Sequence, residues 1–355
     1  AGAVQINAPT VATTGIQTYN DATTLLNNTV MSSMGAGVAG NISFNNTITG
    51  DKTLAVNTAG TTLFNDNVNI AQLTTDTAGT VQINAATVTT SGTQTYNDAL
   101  TLLNNTTLTS TGAAASGNIS FNNTITGDKS LTVNTAGTTL FDKAVSIGQL
   151  TTDAAGAVQI NAPTVATTGT QIYNDALTLL SNTVLSSTGA GALGNITFNN
   201  TVDGAKTLTV NTAGNTTFNG RVGNTAALMS LTTDAAGTTN VNGLSVKTIA
   251  AQTYNDDVVA GAHALFSSVG DAVAVPAVAA GDIAFKKTLT GAFNVDVNTA
   301  GNTLFNDTVN IAQLTTDAAG TVQINAATVT TSGTHTYNDA LTLLNNTTLT
   351  STGAA

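Results

Sequence analysis

The chain has 355 residues, 74 of them Thr and 41 Asn, with no Glu, Cys or Trp and with Asp supplying all 19 acidic side chains. With Glu missing and only 8 Lys and Arg, the straight-chain helix formers are too few for a helical protein, which leaves an all-β one. An apolar fraction of 41 % excludes an acidic disordered tail, and a net charge of -11 with only 8 Lys and Arg argues against nucleic acid and anionic membrane as main partners, since both are gripped by cationic patches.

Ala1 to Asn7 carry neither a basic start nor an apolar run, so no signal peptide is expected in this chain. The missing Cys suits a secreted bacterial rod as well as a cytosolic protein. From Ala3 onward a single pattern recurs. Every Tyr lies in a Tyr-Asn-Asp triplet, at Tyr19, Tyr96, Tyr173, Tyr254 and Tyr337, and the spacings are 77, 77, 81 and 83. Phe44 and Phe64, Phe121 and Phe141, Phe198 and Phe218, and Phe285 and Phe305 form pairs with one constant separation. The third Tyr interval lengthens between Phe218 and Asp234, and the fourth between Tyr254 and Phe285. Insertions confined to two places predict loops near 221–229 and 261–280 on a rigid frame. Val258 to Phe285 is the most lipid-like stretch, but His263, Asp271 and Asp282 break it too often for a membrane span of about 20 apolar residues.

A finer period, one quarter of the 77, runs inside it, with segment boundaries near Gly117, Gly137, Gly156, Asp175 and Gly194. Asn118-Ile-Ser-Phe-Asn122, Thr138-Thr-Leu-Phe-Asp142, Ala157-Val-Gln-Ile-Asn161 and Ala176-Leu-Thr-Leu-Leu180 each open a segment with the alternation of a half-buried strand. A second apolar site follows, such as Ile125, Val145, Val165 or Leu185, and usually a third, such as Leu131 with Val133. Three short strands cannot close a core alone but bury one face when stacked on their own copies. The expectation is a right-handed parallel β-helix, a β-solenoid of about 18 coils in one continuous rod over 1–355, roughly 85 Å long at a strand spacing of about 4.8 Å.

Stacking also accounts for the low charge, because a charged residue would meet its like in the next coil, whereas Asn and Thr hydrogen-bond to their copies. The fifth coil position carries Asn45, Asn65, Asn84, Asn122, Asn161, Asn199 and Asn219, and also Asn7, Asn242, Asn306 and Asn325, with Leu26, Leu103, Leu180 and Leu344 in the fourth coil of each unit. This predicts an interrupted Asn ladder at an internal corner. Leu304 to Ala355 nearly repeats Leu63 to Ala114, and neither end has a polar cap, so a longer repeated chain or end-to-end stacking is expected.

The runs Gly117-Asn-Ile-Ser-Phe, Ser130-Leu-Thr-Val-Asn-Thr-Ala-Gly137 and Gly156-Ala-Val-Gln-Ile-Asn-Ala resemble the repeat regions of filamentous-haemagglutinin-like bacterial exoproteins. The resemblance covers essentially the whole chain and is one of repeat grammar, without a catalytic signature. It implies a parallel β-helix, secretion through an outer-membrane partner, and service as an adhesin or surface filament. The amino-terminal secretion domain of that family is not in this sequence.

Sites for chemistry are sparse. Gly35-x-Gly37-x-x-Gly40 and Gly189-x-Gly191-x-x-Gly194 match a dinucleotide fingerprint, but a strand pattern follows each where a helix is required, so both read as turns. His263 and His335 are far apart in the chain and no Cys or Glu joins them, so no conventional zinc site is expected. Asp76, Asp153, Asp234 and Asp317 recur at corners as turn residues bonding their own backbone, and the glycine-rich nonapeptide of calcium-binding β-rolls is absent. A polysaccharide-cleaving β-helix needs clustered carboxylates with an activating base, and Arg221 is the sole Arg, so neither enzyme nor cofactor is expected. Arg221, His263, Lys286 and Lys287 cluster around the two insertions and form the candidate binding loop, with Lys247 nearby. The expected function is a non-enzymatic extracellular shaft of a bacterial surface filament or adhesin. Its partners would be its own copies, end to end or side by side, and a host or neighbouring-cell glycan or protein. The alternative is a purely structural polymer of a sheath or surface layer, and aligned Thr-x-Thr arrays for ice binding are a weaker third reading.

Overall fold

The computed structural model describes residues 2–273 and 276–353. Residues 274 and 275 of the predicted insertion, and Ala1, Ala354 and Ala355, on which the expectation about open ends rested, lie outside the described residues. The chain is a right-handed parallel β-solenoid of roughly 17 turns. It divides into two units, Ala1–Thr168 and Gly169–Ala355.

Within the first unit, strands up to Val145–Ile147 pair, in parallel, with the third strand after them, so three strands make one turn. One sheet stacks Gln17–Tyr19, Ile42–Phe44, Thr61–Phe64, Thr80–Ile83 and Ala99–Leu102. A second stacks Thr53–Thr58, Gln72–Thr75, Gln94–Tyr96, Ile119–Phe121 and Thr138–Phe141. The third stacks Ala22–Leu25, Ile48–Thr49, Val68–Ile70, Thr87–Thr90 and Thr106–Ser110. Alternation decides the facing: in Thr80–Ile83, Val81 and Ile83 are buried while Thr80 and Gln82 face outward. The second unit is built the same way, as in Gln252–Tyr254, Ile283–Phe285, Asn302–Phe305 and Thr321–Ile324.

The 77-residue period is not four coils. Eleven strands run from Ala22–Leu25 to Gln94–Tyr96 before Ala99–Leu102 opens the next 77-residue repeat. At three strands per turn that is three and two-thirds turns. The cause lies in the fourth segment, where Ala99–Leu102 and Thr106–Ser110 are followed by a 3-10 turn at Ala114–Gly117 in place of a third strand. Glycine permits this turn, because a Cβ on Gly112 would lie 2.5 Å from the Ser116 carbonyl oxygen. The two Gly-x-Gly-x-x-Gly runs form the same corner, at Gly37–Gly40 and Gly191–Gly194. The register step is therefore short where Thr80 pairs with Ala99 and longer, across the extra corner, where Gln94 pairs with Ile119. Successive 77-residue repeats move their motifs to the next face: the strand of Tyr19 lies in the first sheet above, and that of Tyr96 in the second.

The core is a column of like residues. Tyr96, Phe121 and Phe141 stack with ring centroids 5.4 and 5.3 Å apart and planes nearly parallel. Tyr19, Phe44 and Phe64 do the same at 5.2 and 5.6 Å. In the second unit Tyr173, Phe198 and Phe218 stack at 5.4 and 5.0 Å, and Tyr254, Phe285 and Phe305 at 5.3 and 5.5 Å. All the phenylalanines of these stacks are fully buried. A middle ring loses two neighbours when removed, so Phe121→Ala should cost about 3–5 kcal/mol, against about 1 kcal/mol or less for an outward change such as Ser120→Ala. Denaturant unfolding followed by tyrosine fluorescence measures both, and equal effects would refute the aromatic column as the main support.

Candidate functional site

Each Tyr-Asn-Asp triplet is preceded by a polar residue that alternation turns inward. Gln94 sits two residues before Tyr96 on the same face, fully buried, and its Oε1 accepts the tyrosine hydroxyl at 2.9 Å. Its Nε2 donates to the Thr109 carbonyl at 2.9 Å and the Val88 carbonyl at 3.1 Å. Gln252 repeats the set, with Tyr254 at 3.0 Å and the Ser267 carbonyl at 2.8 Å. A buried phenol thus obtains its acceptor from its own strand, and one amide ties neighbouring turns together. His335 holds the Gln position in the last triplet, where its Nδ1 lies 3.2 Å from the Thr331 hydroxyl and the Tyr337 hydroxyl has no partner. Burial pushes that phenol up to about 12.

The asparagines line corners that are open to solvent, not internal. Asn45 Nδ2 donates to Asn20 Oδ1 at 2.8 Å, Asn65 reaches the Asn45 carbonyl at 3.5 Å, and Asn84 donates to Asn65 Oδ1 at 3.0 Å. Asn122 donates to Asn97 Oδ1 at 2.7 Å, on another corner, where Asn161 donates to Asp142 Oδ1 at 2.7 Å. Those amide and Lys143 contacts hold the Asp142 carboxyl below its ordinary value. In the second unit Asn199 donates to Asn174 Oδ1 at 2.6 Å and Asn219 to Asn199 Oδ1 at 2.6 Å. Asn45, Asn65, Asn199 and Asn219 are exposed and Asn84, Asn122 and Asn161 half-buried. The residue after an inward Phe must leave the core, which the expectation of an internal corner overlooked.

Asp76 and Asp153 bond their own backbone N–H, as expected of turn residues, and all four corner aspartates also bond across turns. Asp76 Oδ1 accepts the Thr58 N–H at 3.1 Å, and Asp153, Asp234 and Asp317 accept those of Thr135, Thr212 and Thr299 at 3.0 to 3.2 Å. Beside three of them, within a unit, lies the aspartate of a Tyr-Asn-Asp triplet: Asp98 near Asp76, Asp256 near Asp234, and Asp339 near Asp317. These second aspartates are buried.

The candidate binding loop does not converge. Arg221 and His263 share one edge of the second unit but stand two turns apart, since Val222 stacks on Val246 and Val246 on Phe266. Lys286 and Lys287 lie on a different edge, following Ile283–Phe285. Arg221 is exposed; His263 Nε2 meets Asp296 Oδ2 at 2.8 Å; Lys287 Nζ donates to the Ala235 carbonyl at 2.7 Å. Lys286 takes the place of a corner Asn, and its carbonyl accepts from Asn306 Nδ2 at 3.0 Å. The insertions are also narrower than expected. Ala264–Ser268 is an ordinary rung, and the extra chain beyond it is pinched where Asp271 and Val278 exchange backbone hydrogen bonds of 2.7 and 2.8 Å. In the other, Asp203 Oδ1 accepts the N–H groups of Thr225 and Ala226 at 2.8 and 3.1 Å. The most exposed apolar side chains sit on these loops and the 3-10 corners: Val273 at 89 %, Val38 at 79 %, Met34 at 78 % and Leu193 at 66 %.

Among the described residues no three or more His and Asp approach closely enough to hold a metal ion, and no helix is long and apolar enough to cross a membrane. Comparison of the chain with family models, with curated proteins and with solved structures finds no match. The buried network has a sequence signal, a Gln two residues ahead of Tyr19, Tyr96, Tyr173 and Tyr254. Replacing His335 by Gln should give the Tyr337 hydroxyl its acceptor and raise stability by about 1 kcal/mol, whereas Gln94→Leu should cost about 1–3 kcal/mol by leaving Tyr96 unpaired. Thermal unfolding of the two variants tests both signs; stabilisation by Gln94→Leu would contradict the role given to the amide.

Proposed function

We propose that the chain is shaft material of an extracellular bacterial surface filament or adhesin, of the filamentous-haemagglutinin-like kind that its repeat grammar resembles. The observation that carries this reading is the recurrence, within each unit, of the same Gln, Tyr, Phe, Phe column on successive faces. A scaffold stabilised turn by turn lengthens without needing a larger core, which is what a spacer requires. The buried glutamines and the corner aspartates, which are side chains suited to chemistry, are engaged in holding turns together. The outward positions are weakly charged Thr, Asn and Ser, so little repulsion opposes contact with a second rod or a neutral glycan.

The exposed apolar corners around Met34, Val38, Leu193 and Val273 are the places where such a shaft would touch a partner. Deletion of 271–278, whose ends are already joined by backbone hydrogen bonds, should leave the fold intact and, on this reading, leave fibre length unchanged while weakening attachment. Electron microscopy of producing cells labelled against this segment should show single fibres tethered at one end. Rods in regular lateral contact around the cell would favour a sheath polymer, and labelling confined to the cytoplasm would contradict both.

A further inference from the structure

Asp98 and Asp339, each the aspartate of a Tyr-Asn-Asp triplet, are the groups whose burial nothing above explains. Asp98 is 1 % exposed, and neither carboxyl oxygen has a well-formed donor. The preceding turn faces it with Thr75 and with Asp76, whose Oδ1 is committed to the Thr58 N–H. Its own strand contributes Tyr96, already bonded to Gln94. The following turn contributes Asn122 and Asn123, whose amides are spent on Asn97. Lys52, Lys129 and Lys143, the basic residues of the first unit, pair with Asp51, Asp128 and Asp142.

The second unit contains the informative variant. Asp256 is equally buried beside Asp234, but the Thr233 and Thr239 hydroxyls donate to its two oxygens at 2.6 and 2.8 Å. The titratable groups that act on it are Asp234 and the neutral Tyr254 phenol. Thr239 corresponds to Val81 in the Asp98 copy and to Val322 in the Asp339 copy, and there only the Thr75 or Thr316 hydroxyl faces the carboxyl, without a well-formed hydrogen bond. A buried carboxylate without donors is far costlier than the neutral acid.

We propose that Asp98, paired with Asp76, holds a proton in the folded solenoid and acts as a latch on this corner, closed while neutral and loosened on ionisation. Asp339 with Asp317 is a second copy, and Asp256 is the counterpart tied by hydroxyl groups instead. Burial, then the Asp76 charge, push Asp98 up to about 7, with Thr75 offsetting only part, while Asp256 rises to about 6. Because the folded value lies above the unfolded value of about 4, the contribution is greatest in acid, declines as pH rises from about 4 through about 7, and stays lost above that.

The test uses the full chain. Amide exchange at Thr58 and Asn97 is measured at pH 5 and pH 8 in wild type and in Asp98→Asn, so that the ratio of wild-type to variant rate at each pH cancels the intrinsic pH dependence. The ratio should rise at least about tenfold between the two values, and Val81→Thr, which restores the hydroxyl, should reduce that rise. Infrared difference spectra of wild type alone should show a protonated carboxyl that titrates near neutrality, a readout that stands even if a variant fails to fold. An unchanged ratio, or a carboxyl already ionised at pH 5, overturns the proposal. So does stabilisation of wild type by millimolar calcium at pH 8 that Asp98→Asn abolishes, which would make the pair a cation site.

Discussion

Everything in this molecule follows from one spacing. Parallel rungs lie about 4.8 Å apart, so each side chain has its counterpart from the next turn as nearest neighbour. Only residues that tolerate their own company suit such a column. Rings qualify, and Tyr96, Phe121 and Phe141 meet face to face at 5.3 to 5.4 Å. Amides qualify because they donate and accept, as Asn219 does between Asn199 and Asn242. Charges do not, which is why Asp51, Asp128 and Asp142 stand beside a Lys in sequence and the charged fraction of the chain is 8 %.

Against that rule the buried aspartates are exceptions, and polar groups inside a repetitive stack have a specific use. A column of Val, Leu and Phe fixes which face is inward but tolerates slippage by a whole rung. Gln94, bonded to Tyr96 on its own strand and to carbonyls of Val88 and Thr109, is satisfied in one alignment. The Thr58 N–H, capped by Asp76 from the following turn, adds a second fixed point. A register error would leave these groups buried and unpaired, at about 1–3 kcal/mol each. Uniform repeats need such markers more than ordinary domains do, because their sequence offers many near-equivalent pairings.

The fold class was legible because periodicity survives any local misreading: Tyr-Asn-Asp and the Phe pairs demanded a solenoid whatever the coil boundaries. The number of strands per unit was not, because Thr111 to Gly117 occupies as much chain as a turn and short strand elsewhere, and only Gly112, Ala114 and Gly117 signal the tight corner. The corner asparagines were visible as a repeat, while their exposure needed the step from an inward Phe44 to the next residue, Asn45. Burial of Asp98 was hidden, since Asp in Tyr-Asn-Asp reads as a turn residue until the fold sets it behind Thr75. The basic residues near the insertions looked like one cluster because closeness in sequence does not imply a shared edge when consecutive corners point in different directions.

The most direct test of this account is the register itself. The eleven-strand unit sets Thr95 beside Ser120 and Thr101 beside Thr126, whereas four equal coils would set Thr101 beside Ser120. The chain contains no Cys, so paired substitutions report without background. A Cα separation of about 4.8 Å lies within the range that a disulfide bridges. Under mild oxidation the Thr95→Cys/Ser120→Cys protein should cross-link within the chain, and the Thr101→Cys/Ser120→Cys protein should not. The reverse result would contradict the three-and-two-thirds-turn repeat and the rotation of motifs around the solenoid that depends on it.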